Sequence, residues 1–285
     1  MNIRQVRNKI RSVSNVRKIT KAMQMVSAIK MKKAQTAAIE GQPYRSDLER
    51  IIKRVVVNLD PAFSPLLSRN PAAKGRELVI FISSNKGLCG SFNFNLFRYA
   101  IKNINFDKTD FITVGKKGAS LVGKMESRII ADFSTNNAID SVSAIFQTAL
   151  IAFLDGKYQQ VKLIYNRFIN TLRHEPTETV LLPVNLAPTE EEKKEQEMNN
   201  EYIIEPAPET IIDSLLRSLV EEKIRGAIID SEASEHSARM IAMKNATDNA
   251  GDVIYNLTLL RNKIRQEKIT YELLDMITAK ESVES

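Results

Sequence analysis

Between Glu209 and Lys280 the chain reads as one uninterrupted helical pattern. Apolar residues recur as Ile212, Leu215, Leu216 and Leu219, and further on as Val253, Leu257, Leu260 and Ile264. No proline follows Pro208, and only Gly226 and Gly251 interrupt. The second apolar set advances by 4, 3 and 4 residues, the repeat of a coiled-coil seam. As one helix the stretch is roughly 105 Å long at about 1.5 Å per residue. A compact globule of this chain length is only about 50 Å across. The pattern therefore predicts a C-terminal helix over 209–285 that outreaches its own globule and whose apolar stripe needs a partner.

The segment 1–59 supplies one. Its first stripe is Ile3, Val6, Ile10, Val13, Val16, Ile19, Met23, Val26 and Ile29, with steps of 3, 4, 3, 3, 3, 4, 3 and 3. The surplus of threes predicts a locally overwound seam. A second stripe, Leu48, Ile51, Ile52, Val55, Val56 and Leu59, follows Gly41 and Pro43. Pro43 lacks an N–H and crowds the carbonyl of Ile39, which predicts a kink or a break of this helix near 41–43. Charge favours pairing of the two ends. Residues 1–40 carry ten Lys and Arg against one acid, Glu40, whereas 209–252 carries nine acids against five bases. Both helices flank one intervening domain, so an antiparallel pair is the simplest closure. Ala242, Ala246 and Ala250, spaced by four, let a partner helix approach closely.

Between the helices the period changes. Strands are expected at 77–84, 111–115, 128–133, 161–168 and 178–184, and helices at 92–103, 116–125 and 139–155. This alternation predicts an α/β domain over 72–186 with helices packed on a largely parallel sheet. A charged connector, 187–208, leads to the last helix.

Such a domain raises the question of a nucleotide. SSNKGLCGSFN at 83–93 has Gly87 and Gly90 but not the GxGxxG spacing of a pyrophosphate cradle. The run from Gly118 to Lys124 matches GxxxxGK, but Met125 follows where a Ser or Thr would bind magnesium. That run also starts inside the expected helix, not at the strand-to-helix turn. Tight turns and close helix packing account for these glycines, and no nucleotide or other cofactor is expected.

Other chemistry is sparse. His174 and His236 stand 62 residues apart without zinc-type spacing. His174 is expected in an exposed loop before Pro176, and His236 in a surface group with Glu232 and Glu235. No nucleophile–base pair emerges, so no catalytic or metal residue is assigned. Cys89 is the single cysteine, which excludes an internal disulfide. No run of 18 apolar residues occurs. The net charge of +7 suits nucleic acid, anionic lipid or an acidic protein. A basic coiled-coil nucleic-acid binder is thus the alternative reading. Against it, no aromatic residue precedes Tyr44 to stack on a base.

Several motifs carry a family resemblance. ITKAMQMVSAIKM at 19–31 resembles the N-terminal signature of the gamma-subunit family of F-type ATP synthases. ARMIAMKNATDNA at 238–250 and IRQEKITYEL at 264–273 resemble its C-terminal helix, and Tyr202 to Pro206 its lead-in. Gly87, Leu88, Cys89, Gly90 and Asn93 look like its motif after the first strand, although Asn85 and Lys86 replace the usual acidic-then-Arg approach. The resemblance implies an antiparallel coiled coil of the terminal helices around a Rossmann-like domain that holds no nucleotide. It implies a rotor shaft inside a hexamer of alpha and beta subunits, with the epsilon subunit and a membrane c-ring as further partners. It also implies a peripheral membrane location on the cytoplasmic face, and ATP synthesis on partner subunits driven by proton or sodium flow. By the same resemblance, Lys18, Lys21, Met23 and Lys30 sit level with acidic loops of the beta subunits. Arg265 and Gln266 contact a loop of the surrounding subunits.

Overall fold

The computed structural model describes residues 2–56, 64–68, 75–135, 137–185 and 207–284. They form two compact units, Met1–Ala28 with Arg239–Ser285, and Ile29–Ala238. Two helices, α1 (Ile3–Val56) and α5 (Pro208–Glu284), each contribute one end to each unit. Most of the expected charged connector, and Tyr202 to Pro206, lie outside the described residues.

The larger unit is built on a five-stranded sheet in the order β3-β2-β1-β4-β5. The strands are β1 (Glu77–Ile82), β2 (Thr109–Val114), β3 (Ile129–Asp132), β4 (Gln160–Phe168) and β5 (His174–Leu182). Three helices alternate with them: α2 (Phe92–Asn103), α3 (Lys116–Lys124) and α4 (Val142–Leu154). β1 pairs in parallel with both β2 and β4, and β2 with β3; only β5 runs antiparallel, against β4. Crossovers through helices cover both faces, which is why β1 and β2 read as unbroken apolar runs.

Alternate residues sort the two faces. Val79 and Phe81 of β1, with Phe111 and Ile164, pack against Leu96 and Ala100 of α2 and Val122 of α3. Leu78, Ile80 and Ile82 point the other way, with Ile112 and Leu163, into a core shared by three helices. Those helices are α4, the C-terminal end of α1 (Leu48, Ile52, Val55) and the N-terminal end of α5 (Ile212, Leu216, Leu219). Burying one Leu or Ile side chain contributes about 1.5–3 kcal/mol. This second face is the main anchor of the long helices within the unit.

Several sequence expectations change. Of the kink or break expected near Pro43, the break does not occur: α1 stays helical through it. β5 starts at His174, so His174 and Pro176 lie in a strand and not in an exposed loop. An edge strand tolerates a proline because its outward N–H need not pair. A further change concerns the apolar seam of α1 and is described with the site.

Candidate functional site

Open parallel sheets bind phosphates at the carboxyl ends of their strands, on helix N-termini. At the N-terminus of α3 those donors are already bonded. The N–H of Lys116 donates to Asn85 Oδ1 (3.0 Å), that of Lys117 to the Ser84 carbonyl (3.1 Å) and that of Gly118 to Ser83 Oγ (2.7 Å). The segment Ser83–Ser84–Asn85 thus caps α3 and closes its N-terminus to an anion. Gly115 adopts φ 107°, and a Cβ there would lie 2.2 Å from the Ser83 carbonyl oxygen. A Cβ on Gly118 would lie 2.7 Å from Ser83 Oγ. Both glycines serve contact between α3 and β1.

The rest of the crevice is taken by α5. Ser234 Oγ donates to the Asn166 carbonyl at the end of β4 (3.2 Å), and Ser237 Oγ donates to the Thr171 carbonyl. Ala238 closes a small cluster with Cys89 and Phe92. A cavity of about 100 Å³ remains, lined by Ser83, Asn85, Gly115, Ser231, Glu232 and Glu235 among others. Burial, reinforced by Glu235, pushes the Glu232 carboxyl above its ordinary range, with Lys30 and Lys33 opposing. Paired carboxylates at this edge disfavour an anionic ligand.

The glycine-and-cysteine loop before α2 has a packing role. Asn93 Nδ2 donates to Ser84 Oγ (2.8 Å) and lies 3.2 Å from Cys89 Sγ, and the thiol is buried. His174 packs against the Phe92 ring at 5.8 Å between centroids. Burial holds its imidazole below the ordinary value, and its Nε2 has no hydrogen-bond partner. His236 is half-buried, not a surface group.

In the smaller unit the ends of α1 and α5 run antiparallel. Thr247 Oγ1 lies 2.8 Å from Thr20 Oγ1. One turn earlier on α1, the Arg17 guanidinium lies 3.8 Å from where a Cβ of Gly251 would be. Extending this register sets Ile10 opposite Leu257 and Ile3 opposite Ile264. The inward positions of α1 are Val6, Ile10, Val13, Thr20, Gln24 and Ser27, and those of α5 are Met243, Thr247, Ala250, Ile254, Leu257, Arg261 and Ile264. The α5 set alternates steps of four and three, and the α1 set does so apart from one seven-residue step across exposed Arg17, so the seam keeps the heptad repeat and is not overwound as expected. Val16, Ile19, Val26 and Ile29, assigned to the seam by hydropathy, face outward, with Ile29 70% exposed. Val253 and Leu260 of α5 are likewise outside it.

The residues singled out from sequence fall on this outer surface or beside it. Lys18 and Lys21 are exposed, and Lys21 Nζ donates to Gln24 Oε1 (3.3 Å). Met23 is half-buried at the edge of the seam. Lys30 is exposed and, in the larger unit, faces Glu232. Arg265 and Gln266 are exposed immediately past Ile264, and every residue from there to Ala279 is exposed. By the register, α5 has run past the start of α1 at this point.

The whole chain can be compared with known proteins. A family profile described as ATP synthase matches residues 2–283. The ATP synthase gamma chain of Psychrobacter cryohalolentis is 35% identical over 287 residues, covering 97% of this chain and 97% of that relative. The ATP synthase gamma chain of Verminephrobacter eiseniae is 37% identical over 286 residues, covering 96% of each. A chain in the rotor of the Euglena gracilis mitochondrial ATP synthase shares the fold at 21% identity, with TM-score 0.65 over 94% of this chain and 98% of that one. A chain from the central stalk and c-ring of the Tetrahymena thermophila enzyme aligns with TM-score 0.56 at 26% identity, over 80% of this chain and 99% of that one.

Proposed function

The chain belongs to the gamma-chain family of ATP synthases, and from that premise we propose that it is the central rotor shaft of an F-type ATP synthase. The observation that carries this reading is a family match running from end to end of the chain, 2–283. In this role the chain makes and breaks no bond. ATP forms from ADP and phosphate on the surrounding alpha and beta subunits, driven by proton or sodium flow through a membrane c-ring. The epsilon subunit is the further partner. No helix among the described residues is long and apolar enough to cross a membrane, which agrees with a peripheral location, here assigned to the cytoplasmic face of a bacterial membrane. The nucleic-acid alternative gains no support from the relatives.

The mechanism is differential contact. A shaft shifts a catalytic site between conformations only by as much as its contacts differ between them. Reversing a site from 1:99 to 99:1 takes about 5.5 kcal/mol of such difference. Two features of the paired helices suit this task. At the level of Thr20, Ser27, Thr247 and Ala250 the seam is filled by small and polar side chains, and Val16, Ile19 and Val26 are left exposed for partners. Within the pair, residues 1–28 carry seven Lys and Arg and no acid, whereas 239–285 carries seven bases and seven acids, so the pair is electrically asymmetric about its axis. Lys18, Lys21, Met23 and Lys30 are assigned to acidic loops of the beta subunits, and Arg265 and Gln266 to a polar loop of the collar.

The test is assembly. The tagged chain should co-purify with alpha, beta and epsilon subunits and support ATP-driven ion pumping. Arg265→Ala with Gln266→Ala should leave the melting of the isolated chain unchanged, because both side chains are exposed. ATP hydrolysis by the complex should fall roughly tenfold, the worth of one charge-assisted hydrogen bond. A double variant turning over at the unmodified rate would remove the pair from the contact surface. Failure of the unmodified chain to assemble would overturn the rotor reading itself.

A further inference from the structure

The cavity at the carboxyl ends of β1 and β2 lies within the larger unit and is bordered by α5. Ser231, Glu232 and Glu235 line it, and their spacing places them on one face of the helix. Asn137, just before α4, lines it from the α/β domain. Among the described residues no Lys, Arg or His lines it. Glu235 adds like charge beside Glu232. Lys30 and Lys33 of α1 oppose that charge, but both are exposed and stand outside the lining.

Ser231 sets this space apart from a packing gap. The residue is 3% exposed, and its hydroxyl has no hydrogen-bond partner among the described residues. Other hydroxyls of α5, on Ser218, Thr247, Thr258 and Thr270, donate to the carbonyl four residues back. Burying a hydroxyl without a partner is costly, and a ligand in the cavity would supply one. Asn137 Nδ2 donates to Asp140 Oδ2 (3.0 Å), which leaves its amide oxygen for another partner.

We propose that this cavity is a site for a hard divalent cation of calcium size, held by the Glu232 and Glu235 carboxylates, the Ser231 hydroxyl and the Asn137 amide oxygen. The donors are all oxygen, and calcium takes about six to eight of them in a flexible shell. Water completes that shell: about 100 Å³ holds the ion with roughly three waters at about 30 Å³ each. Magnesium, which demands a near-ideal octahedron, suits so irregular a set less well. Two carboxylates imply weak binding, with Kd on the order of 10⁻⁴–10⁻³ M. No three acidic, His or Cys side chains gather among the described residues, and here half of the donors are neutral oxygens. The ion would tie α5 to the segment that leads into α4. The inference rests on the cavity and not on the rotor reading, so either can fail while the other stands.

The test uses the full-length chain, stripped with EDTA and titrated with calcium chloride alone at constant ionic strength. Native-state hydrogen exchange is read over residues 229–236 and 137–142. At calcium ten times above its Kd, both segments should exchange roughly tenfold more slowly by mass action. Magnesium at the same concentration should slow them less than about threefold. Ser231→Ala removes a donor and leaves the charge, and should weaken calcium binding roughly threefold or more. Glu232→Gln with Glu235→Gln should abolish the slowing. Slowing that survives in this double variant overturns the site and assigns the calcium to carboxylates elsewhere in the chain. A response matched by magnesium overturns the assignment to calcium. No saturable response up to about 10 mM, beyond the weakest class of calcium site, overturns the proposal outright.

Discussion

The contact between Thr20 and Thr247 offers a sharp test of the helix register. Both side chains are buried, at 8% and 7% exposure, and their hydroxyl oxygens are 2.8 Å apart. Thr247 Oγ1 also donates to the Met243 carbonyl (2.8 Å), and Thr20 Oγ1 to the Arg17 carbonyl (3.1 Å). Three contacts thus share two hydroxyl protons. Replacing either threonine by valine keeps its shape and removes its hydroxyl. The surviving hydroxyl retains its own backbone carbonyl and loses its partner across the seam. Each single change should therefore cost about 1 kcal/mol. Replacing both removes the pair together and leaves no orphan, so Thr20→Val with Thr247→Val should be near neutral. The coupling energy in the cycle is then about 2 kcal/mol in magnitude. Native-state hydrogen exchange of peptides spanning 16–27 and 243–254 reads this directly, as a roughly fivefold faster exchange in each single variant and little change in the double. If the two costs simply add, the hydroxyls do not pair and the register is wrong.

Two further outcomes follow from the larger unit. Residues 72–186 together with their α5 cover should show no micromolar affinity for ATP, NAD or FAD in calorimetry of the full chain, because the α3 donors are occupied and Glu232 and Glu235 line the crevice; saturable binding of any one would overturn the plugged-crevice account. His174 should make stability depend on pH. Burial lowers its folded value below 6.5, so as pH falls the unfolded chain takes the proton first. Stability is full above about pH 6.5 and declines as pH drops toward the lowered folded value. His174→Phe should flatten this slope in urea unfolding relative to the unmodified chain, and identical slopes would mean that His174 does not titrate on unfolding.

The strands and short helices were legible because their signals are local. Alternation, glycines and βαβ spacing locate β1 to β4 and α2 to α4 to within a few residues. β5 was read four residues short because His174, Glu175 and Pro176 look like a loop, and only an edge position excuses them. The seam of the long helices was harder. Hydropathy favours Val16, Ile19, Val26 and Ile29 over Thr20, Gln24 and Ser27, yet the second set is inside. Helices that approach closely put small side chains between them, and the period of the whole set, not the apolarity of its members, marks the seam. Passage through Pro43 could not be read from the sequence, since a mid-helix proline by itself signals a kink or a break. The plugged crevice was half legible: Met125 and the absent glycine pattern argued against a nucleotide. Nothing in the sequence said that Ser83 to Asn85 and the serines of α5 would take its place.

The outward stripe Val16, Ile19, Val26 and Ile29 has a consequence for the chain before assembly. Each of the four is at least half exposed, and they recur along one side of a single helix. Exposed apolar side chains recurring along a helix promote self-association in water. An isolated copy is therefore expected to stay in solution when dilute and to self-associate as its concentration rises. Synthesis in step with its partners, or capture by a chaperone until they arrive, becomes a requirement of the surface itself. Overproduction of this chain alone should yield sediment, and co-expression in matched amounts should return it to the soluble fraction.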